Sequence, residues 1–433
     1  MMSQVEALGP SRRLAHLRRS RTAPMHDARE RLLFFAEDMT LAHVGRLLSL
    51  AKSLDAARYQ IVFACGPHYR RFVDAAGYTV LPIATLDGAW LNHCVRTATP
   101  LFSRDYLRRA VREDLAAICA FAPDLVVGDF RLSLGISTEL AQVPYAALVN
   151  GYWSPHSTTP MTVPDHPVSR WFGPAVGQVI FDLVRDRALN AGCGPVNALR
   201  REYGLIPHAS LQEFYSHGTY TLYPDLPALA PTHDLPSNHR YIGPLLWEPE
   251  LETPASWAGL QSDRPTLYLS LGSSGDSRLL PTLIGALGTM PLQVILATAG
   301  AEMPESMPEN IIAAPLVPGS QAAARADLVV SNGGSGTLYQ ALAAGTPVLA
   351  IPSNPDQHLC TRAAVDAGVA CCLRSDQLTV ARVQEQVRMM LSNPTPRFRA
   401  QGFRESIRTL QPGSALSCLV DEIRRPVCRE AAC

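Results

Sequence analysis

The sequence predicts an α/β fold of two domains, each built on a mostly parallel sheet covered by helices. In both halves of the 433-residue chain, short apolar runs alternate with segments of helical periodicity, which is typical of parallel sheets buried on both faces. A glycine-rich turn at residues 333–336 separates an apolar run from a helical segment. Such turns lie at the carboxyl edge of parallel sheets, where ligands bind.

The first domain is predicted to span residues 31–240. Its predicted strands are residues 32–36, 60–65, 79–83, 125–128 and 145–149, and its predicted helices include 43–54 and 69–75. Residues 153–167 are rich in Pro, Ser and Thr and predict a loop. Residues 1–30 carry several arginines without a long apolar segment, which favours a disordered basic tail or a start codon upstream of Met25 over a transit peptide or membrane arm.

The second domain is predicted at residues 266–396, after an acidic, proline-containing linker at residues 241–265. Apolar runs predict strands at residues 266–271, 293–297, 328–330 and 348–351, and a helix at residues 337–344 ends at a glycine. Residues 397–433 have helical spacing in part. We expect this tail to pack back on the first domain.

Charge and composition narrow the classes of partner. Positive and negative residues balance to a formal net charge of zero, so nucleic acid is not expected as a partner and membrane contact should be peripheral at most. No apolar run is long enough to cross a bilayer. The ten cysteines lack zinc-binding spacing, which favours reduced thiols in a cytoplasmic protein. A monomer or a homodimer fits this composition.

The glycine-rich turn predicts an anion site. Glycines let backbone N–H groups approach a ligand, and a helix N-terminus adds unpaired donors and partial positive charge. A P-loop is disfavoured because Thr337, not lysine, follows Gly336, and Lys52 is the only lysine. A dinucleotide-binding fingerprint is disfavoured because the next predicted strand leads into Pro352 instead of an acidic residue.

The segment 331–357 closely resembles the donor motif of family 1 nucleotide-sugar-dependent glycosyltransferases. That motif runs H-G-G-x-G-T-x-x-E-A-L-x-x-G-V-P, followed by a proline-containing loop and D-Q, and the sequence here reads NGGSGTLYQALAAGTP and then Asp356-Gln357. The similarity extends to residues 269–273 and 317–318. The resemblance implies the GT-B fold, in which two Rossmann-like domains face each other across a cleft.

The resemblance also implies a donor site in the second domain. It assigns the pyrophosphate to Ser273, Asn332, Gly334, Ser335, Gly336 and Thr337, the nucleobase to Leu316 and Val317, the ribose to Gln340, and the sugar hydroxyls to Asp356 and Gln357. Asn332 stands where the family has a phosphate-contacting His, and Gln340 where it has a ribose-contacting Glu. Both amides can still donate hydrogen bonds.

The resemblance implies a catalytic base in the first domain. His43, in Leu-Ala-His-Val-Gly, occupies the position of the family's acceptor-deprotonating His, and a positioned His of near-neutral pKa contributes about 10²- to 10⁴-fold as a general base. Asp129 lies where the family's carboxylate supports this base, which predicts a His43–Asp129 dyad, with a helix cap as the alternative for Asp129. No D-x-D motif occurs, so we expect a reaction without a metal ion or other cofactor. Direct attack by the deprotonated acceptor, which the resemblance also implies, would invert the anomeric carbon.

The predicted acceptor site lies in the first domain. Trp90, His93, Tyr152 and Trp153 are candidates to hold a small apolar acceptor, although the tryptophans are equally consistent with core packing. The sequence thus predicts transfer of a sugar from a UDP- or TDP-sugar to an acceptor hydroxyl. A non-catalytic nucleotide-sugar-binding helper of the same fold and a nucleotide-sugar epimerase are the alternatives.

Overall fold

The first domain is built on a seven-stranded sheet whose strands are all parallel. The computed structural model describes residues 29–424 except 89, 91, 92, 95–98, 100, 166 and 302–305. The strand order is β3-β2-β1-β4-β5-β6-β7, and the strands are β1 Glu30–Ala36, β2 Tyr59–Cys65, β3 Thr79–Pro82, β4 Leu125–Asp129, β5 Tyr145–Leu148, β6 Tyr220–Tyr223 and β7 His239–Tyr241. The predicted tail at residues 1–30 lies almost wholly outside the described residues.

The central strands of this sheet are buried on both faces, as their continuous apolar sequences predict. Phe34 of β1 lies opposite Phe63 of β2 and Val127 of β4, and all three side chains are fully buried. The helices of this domain are α1 Leu41–Lys52, α2 Arg70–Ala75, α3 Arg104–Phe121, α4 Leu134–Ala141, α5 Pro167–Ala191 with an interruption at Gly173, α6 Gly194–Glu202 and α7 Leu211–Ser216.

The second domain contains a six-stranded parallel sheet in the order β10-β9-β8-β11-β12-β13. Its strands are β8 Thr266–Ser270, β9 Gln293–Ala297, β10 Ile311–Ala314, β11 Leu328–Ser331, β12 Val348–Ala350 and β13 Ala370–Cys372. Its helices are α8 Leu280–Leu287, α9 Gly319–Arg325, α10 Ser335–Ala344, α11 Pro355–Asp366, α12 Val380–Ser392 and α13 Pro394–Arg408. The predicted α/β class with parallel sheets is confirmed in both halves.

The C-terminal helices belong to different domains. In the segment 397–433, which we expected to return to the first domain, α13 packs against α10 of the second domain. The last described helix, α14 Pro412–Arg424, contributes Leu416, Leu419 and Val420 to the apolar core around β1 and α1. Arg424 of α14 also pairs with Glu30 at the start of β1.

The segment 242–265 connects the domains and contacts both. The ring of Trp247 packs so closely on α1 that a Cβ added at Gly45 would lie 2.7 Å from Trp247 Cε3. The carbonyl oxygen of Trp247 accepts a hydrogen bond from Gln340 Nε2 of α10 at 3.4 Å. Among the described residues, no helix combines the length and the apolar character needed to cross a membrane.

Candidate active site

The carboxyl ends of the two sheets face each other. Hydrogen bonds between the segments that follow their strands show this arrangement. Leu41 N, at the start of α1, lies 3.4 Å from Ser273 Oγ in the loop after β8. Trp153 Nε1, beyond β5, donates to Asp356 Oδ1 at the start of α11 at 2.8 Å. The predicted base, donor and acceptor segments therefore meet in one cleft.

The glycine-rich turn has the backbone that an anion site needs. Gly333 has a φ of 75°, and the side-chain oxygen of Asn332 accepts the N–H of Gly334 at 3.1 Å. The helix α10 then begins at Ser335 without a side-chain hydrogen bond at its N-cap. Its first N–H groups have no partner within the helix, so they are available to a bound anion.

Asn332 flanks the glycine-rich turn and also connects it to a neighbouring loop. Its side chain is only 4% exposed, and its Nδ2 lies 3.4 Å from Ser274 Oγ. This contact joins the turn after β11 to the loop after β8, which carries Ser273. Direct contact between Asn332 and a phosphate stays a prediction, because its amide is engaged within the protein here.

Asp356 and Gln357, at the start of α11, lie in different environments. Asp356 Oδ1 accepts hydrogen bonds from Trp153 Nε1 at 2.8 Å and from the Tyr152 hydroxyl at 3.3 Å. Gln357 is 1% exposed, its Nε2 donates to Ser274 O at 3.1 Å, and its Oε1 accepts from Ser353 N at 2.9 Å. We expected both residues at the sugar, but the Gln357 amide instead supports the loops around the site.

The residues predicted at the nucleobase and ribose both lie at the start of α9. Leu316 is 36% exposed, whereas the adjacent Val317 is 7% exposed and belongs to the apolar core. Gln340 packs against the start of α9, where a Cβ added at Gly319 would lie 2.9 Å from its Oε1. Leu316 is thus the more accessible of the two side chains predicted at the base.

His43 lies half-buried on the rim of the first domain. Its Nδ1 lies 3.0 Å from the carbonyl oxygen of Glu37. A carbonyl can only accept, so in the neutral ring Nδ1 carries the proton and Nε2 carries the lone pair. The pKa of His43 is lowered mainly by burial, with a further contribution from Arg46, while Asp129 and Asp356 act in the opposite direction.

Asp129 does not form the predicted hydrogen-bonded dyad with His43. Its carboxylate accepts two hydrogen bonds from Arg46, from Nε to Oδ2 at 2.8 Å and from Nη2 to Oδ1 at 2.7 Å. This bidentate geometry satisfies both oxygens and is the strongest arrangement available to a carboxylate. Asp129 therefore acts on His43 only through its charge, and the backbone of Glu37 orients the ring.

A chain of buried polar groups continues from Arg46 to the second domain. Arg46 Nη1 donates to Asn150 Oδ1 at 2.6 Å, and Asn150 Nδ2 donates to Asp225 Oδ1 at 3.0 Å. The hydroxyl of Tyr339, on α10, donates to the same Asp225 oxygen at 2.9 Å. Burial raises the pKa of Asp225 above its ordinary value, against these hydrogen bonds.

The predicted acceptor residues occupy two neighbouring places. Tyr152 and Trp153 contact Asp356 directly, as described above. Trp90 and His93 stack on each other with ring centroids 5.4 Å apart, and Trp90 Nε1 donates to the carbonyl oxygen of Leu101 at 3.0 Å. Leu101 directly precedes Phe102, which belongs to an aromatic cluster around His43. The Trp90–His93 pair therefore lies next to that cluster.

An aromatic cluster beside His43 was missed by the sequence prediction. Phe130 stacks on the His43 ring with centroids 5.1 Å apart, and Tyr215 lies 5.4 Å from Phe130 and 5.3 Å from Trp153. Phe102 lies 6.3 Å from Phe130. Phe130 directly follows Asp129, so its position after a buried strand was a usable signal. Tyr215 lies on the separate helix α7, and its neighbours in sequence gave no such signal.

Phe130 also has an unusual backbone conformation. Its φ is 58°, in the left-handed region that a bulky residue rarely adopts. Such strain persists only where the surrounding structure imposes it, and it occurs preferentially at functional sites. Here it accompanies the stacking of the Phe130 ring on the candidate base. Within the described residues, His, Cys, Asp and Glu side chains form no group of three or more placed to bind a metal ion.

Two parallel-sheet domains whose carboxyl edges face each other across a cleft are the architecture of the GT-B glycosyltransferases. Comparison with known proteins agrees. Residues 276–413 match the family described as "Erythromycin biosynthesis protein CIII-like, C-terminal domain". The structure of the spinosyn rhamnosyltransferase SpnG complexed with thymidine diphosphate matches with a TM-score of 0.62 and 18% identity, covering 90% of this chain and 99% of that one.

Two curated relatives are closer in sequence. The chain is 41% identical over 379 residues to a PGL/p-HBAD biosynthesis glycosyltransferase of Mycobacterium tuberculosis (strain ATCC 25177 / H37Ra), covering 87% of this chain and 89% of the relative. It is 41% identical over 365 residues to a PGL/p-HBAD biosynthesis rhamnosyltransferase of Mycobacterium bovis (strain BCG / Pasteur 1173P2), covering 84% and 81%. The chain belongs to this family of glycosyltransferases.

Proposed function

We propose that this glycosyltransferase moves a sugar from a UDP- or TDP-sugar to a hydroxyl of a small, apolar acceptor, with inversion at the anomeric carbon and without a metal ion. One observation carries the proposal. His43, with its Nδ1 held by the Glu37 carbonyl, lies two residues from Leu41, whose N–H lies 3.4 Å from the hydroxyl of Ser273 on the donor side. A base and a diphosphate site therefore face each other.

His43 would act as the general base. Because Nδ1–H donates to Glu37, the lone pair on Nε2 is available for the acceptor hydroxyl. Burial lowers the pKa of His43, so the ring is neutral and competent as a base at neutral pH. After it takes the proton, the imidazolium is stabilised by the charges of Asp129 and Asp356, which raise its pKa against the effect of burial.

The second domain would stabilise the leaving group. As the acceptor oxygen bonds to the anomeric carbon, the bond from that carbon to the diphosphate breaks, and negative charge moves onto the nucleoside diphosphate. The uncapped start of α10 offers N–H groups and the positive end of a helix dipole to that charge. Attack from the first domain occurs opposite to departure toward the second, which inverts the anomeric carbon.

Asp356 is the strongest candidate to hold the transferred sugar. Tyr152 and Trp153 both donate to its Oδ1, which fixes the carboxylate and leaves Oδ2 to accept from a sugar hydroxyl. Asp356 belongs to the second domain, whereas the two aromatic residues belong to the first. The sugar would therefore be held at the point where donor and acceptor sides meet.

The donor and acceptor classes have separate support. Thymidine diphosphate, the ligand named for SpnG, supports a TDP-sugar, and the named activity of the rhamnosyltransferase relative favours a deoxyhexose. On the acceptor side, the rings around His43 form an aromatic wall suited to a planar or apolar acceptor. The wall consists of Phe102, Phe130, Trp153 and Tyr215.

The test is a transfer assay with a panel of UDP- and TDP-sugars and a mixed library of hydroxylated aromatic acceptors, read by mass spectrometry. The variant is His43→Gln, and the matched control is His233→Gln, which changes an exposed histidine of the same domain. We expect the first substitution to lower kcat/KM by about 10²- to 10⁴-fold with unchanged donor affinity, and the control to match the wild type.

The alternative functions give different products. Donor binding without any product across the panel would support the helper interpretation, and recovery of an epimerised free donor would support an epimerase. Full activity of His43→Gln would contradict the proposed base. The anomeric configuration of the product, read from its NMR coupling constants, tests inversion directly.

A further inference from the structure

Arg46 lies beside the candidate base without being part of the predicted site. It is three residues after His43 on α1, so the two side chains share one face of the helix. Arg46 and Asp129 form a pair whose side chains are 12% and 1% exposed. A charge pair buried this deeply has to be well satisfied, because removal of either partner leaves an uncompensated buried charge.

The two partners of this pair are fixed from several directions. Asp129 ends β4 and is fully buried. The third nitrogen of the guanidinium, Nη1, donates to Asn150 Oδ1 at 2.6 Å beyond the end of β5. The pair therefore holds α1 against the ends of two strands, and it does so within one helical turn of His43.

We infer that Arg46 is a positioning residue for the transfer reaction: it binds the Asp129 carboxylate in a bidentate pair, so that the Glu37 carbonyl and not Asp129 fixes the ring of His43. This inference rests on the proposed role of His43 as the base. A carboxylate bonded to a guanidinium through both oxygens is half of a neutral pair, so its attraction for an imidazolium is partly offset. A lone carboxylate in its place would favour the protonated ring.

The charges that face His43 come from three elements. Arg46 lies on α1 itself, Asp129 at the end of β4, and Asp356 at the start of α11 in the second domain. His43 also contacts the Glu37 carbonyl and the ring of Phe130, neither of which carries a net charge. Removing the Arg46 charge leaves two carboxylates and no cation in this set, so the imidazolium form of His43 becomes more favourable.

The consequence for catalysis has a definite sign. A base has to be unprotonated to accept the hydroxyl proton. If the pKa of His43 rises, a larger fraction of the enzyme is protonated and inactive at a given pH below it. The acidic limb of the pH profile of kcat/KM should therefore move to higher pH when Arg46 loses its charge.

The experiment compares the full-length chain with Arg46→Gln, Arg46→Lys, Asp129→Asn and the double variant Arg46→Gln/Asp129→Asn. The pKa of His43 is measured by NMR titration of the histidine rings, with His43→Gln identifying its signal. We expect Arg46→Gln to raise this pKa by about one pH unit and to move the acidic limb equally. Asp129→Asn should lower it, and the double variant and Arg46→Lys should fall between these limits.

Several outcomes would overturn the inference. One is an unchanged pKa of His43 in Arg46→Gln, even with lost activity, because a purely structural role would give that result. If Arg46→Gln does not fold, Asp129→Asn and the double variant decide, and equal His43 pKa values in those two would contradict the role of Arg46. The titration does not depend on turnover, so it is independent of the activity of His43→Gln, on which the proposed base depends.

Discussion

The glycine-rich turn, which is the candidate anion site, should depend on one glycine for its shape and tolerate substitution of another. Gly333 has a φ of 75°, and a Cβ added there would lie 2.1 Å from Thr361 Oγ1 and 3.2 Å from Ala350 Cβ. Gly336 has no atom within 4 Å of an added Cβ. The substitutions Gly333→Ala and Gly336→Ala therefore form a matched pair within four residues.

The expected losses follow from this geometry. The left-handed backbone costs about 1–2 kcal/mol for alanine, and crowding against the buried Thr361 side chain adds about 1–3 kcal/mol. Gly333→Ala should thus lower the free energy of unfolding by about 2–5 kcal/mol. Gly336→Ala should leave it unchanged or raise it by up to about 1 kcal/mol, since alanine loses less backbone entropy than glycine in a helix.

Urea unfolding followed by circular dichroism measures both values, and calorimetric titration with TDP measures the consequence for the donor. The methyl group of Gly336→Ala would enter the open space beside the first N–H groups of α10, so we expect weaker TDP binding in a fully folded protein. A free energy of unfolding for Gly333→Ala within about 0.5 kcal/mol of the wild type, the usual range for neutral surface changes, would refute this reasoning.

Two further predictions concern stability. Tyr339→Phe should lower the free energy of unfolding by about 1–3 kcal/mol, because it removes a buried hydroxyl that donates to Asp225 and accepts from Leu226 N; urea unfolding measures this, and an unchanged midpoint would contradict it. Burial lowers the pKa of His208 to about 3 and that of His358 to about 4. Below about pH 6.5 these histidines therefore bind protons in the unfolded chain but not in the folded chain. The free energy of unfolding is unaffected by them above that pH and falls as the pH drops, by up to about 1.4 kcal/mol per pH unit for each histidine. Unfolding measured between pH 7 and pH 5 should show a shallower fall in His358→Gln, and an equal slope would count against the assignment.

The main elements of the fold were predictable because their sequences are locally consistent. The buried strands around Phe34 and Val330 are apolar without alternation, as expected for parallel sheets covered on both faces. The long helix Pro167–Ala191 was not predicted, and β6 and β7 were missed as well. The helix contains Gly173 and Pro174, which interrupt its pattern, and it exposes apolar side chains such as Leu183 that blur an amphipathic signal.

The candidate site was predictable in position but less so in its contacts. The family resemblance predicted His43, the turn at Asn332 and Asp356 at strand ends that share one cleft, and a parallel sheet leaves little freedom there. The hydrogen-bond partner of Asp129 could not be predicted from the sequence, because it depends on side-chain rotamers and any nearby cation could bind the carboxylate. Arg46 binds Asp129 because its planar guanidinium can donate to both carboxylate oxygens at once, whereas the imidazole of His43 could donate only one N–H to it.

The hydrogen bonds that cross between domains also involve the helices that carry the proposed donor site. Tyr339 lies on α10, whose start is the candidate anion site, and its hydroxyl donates to Asp225 of the first domain. Asp356, on the neighbouring α11, is held by Trp153 of the first domain. Small changes in the angle between the domains would break these directional bonds before they separated the apolar surfaces. The distance from His43 to the donor is therefore governed by buried polar contacts, and loosening them should impair transfer more than donor binding.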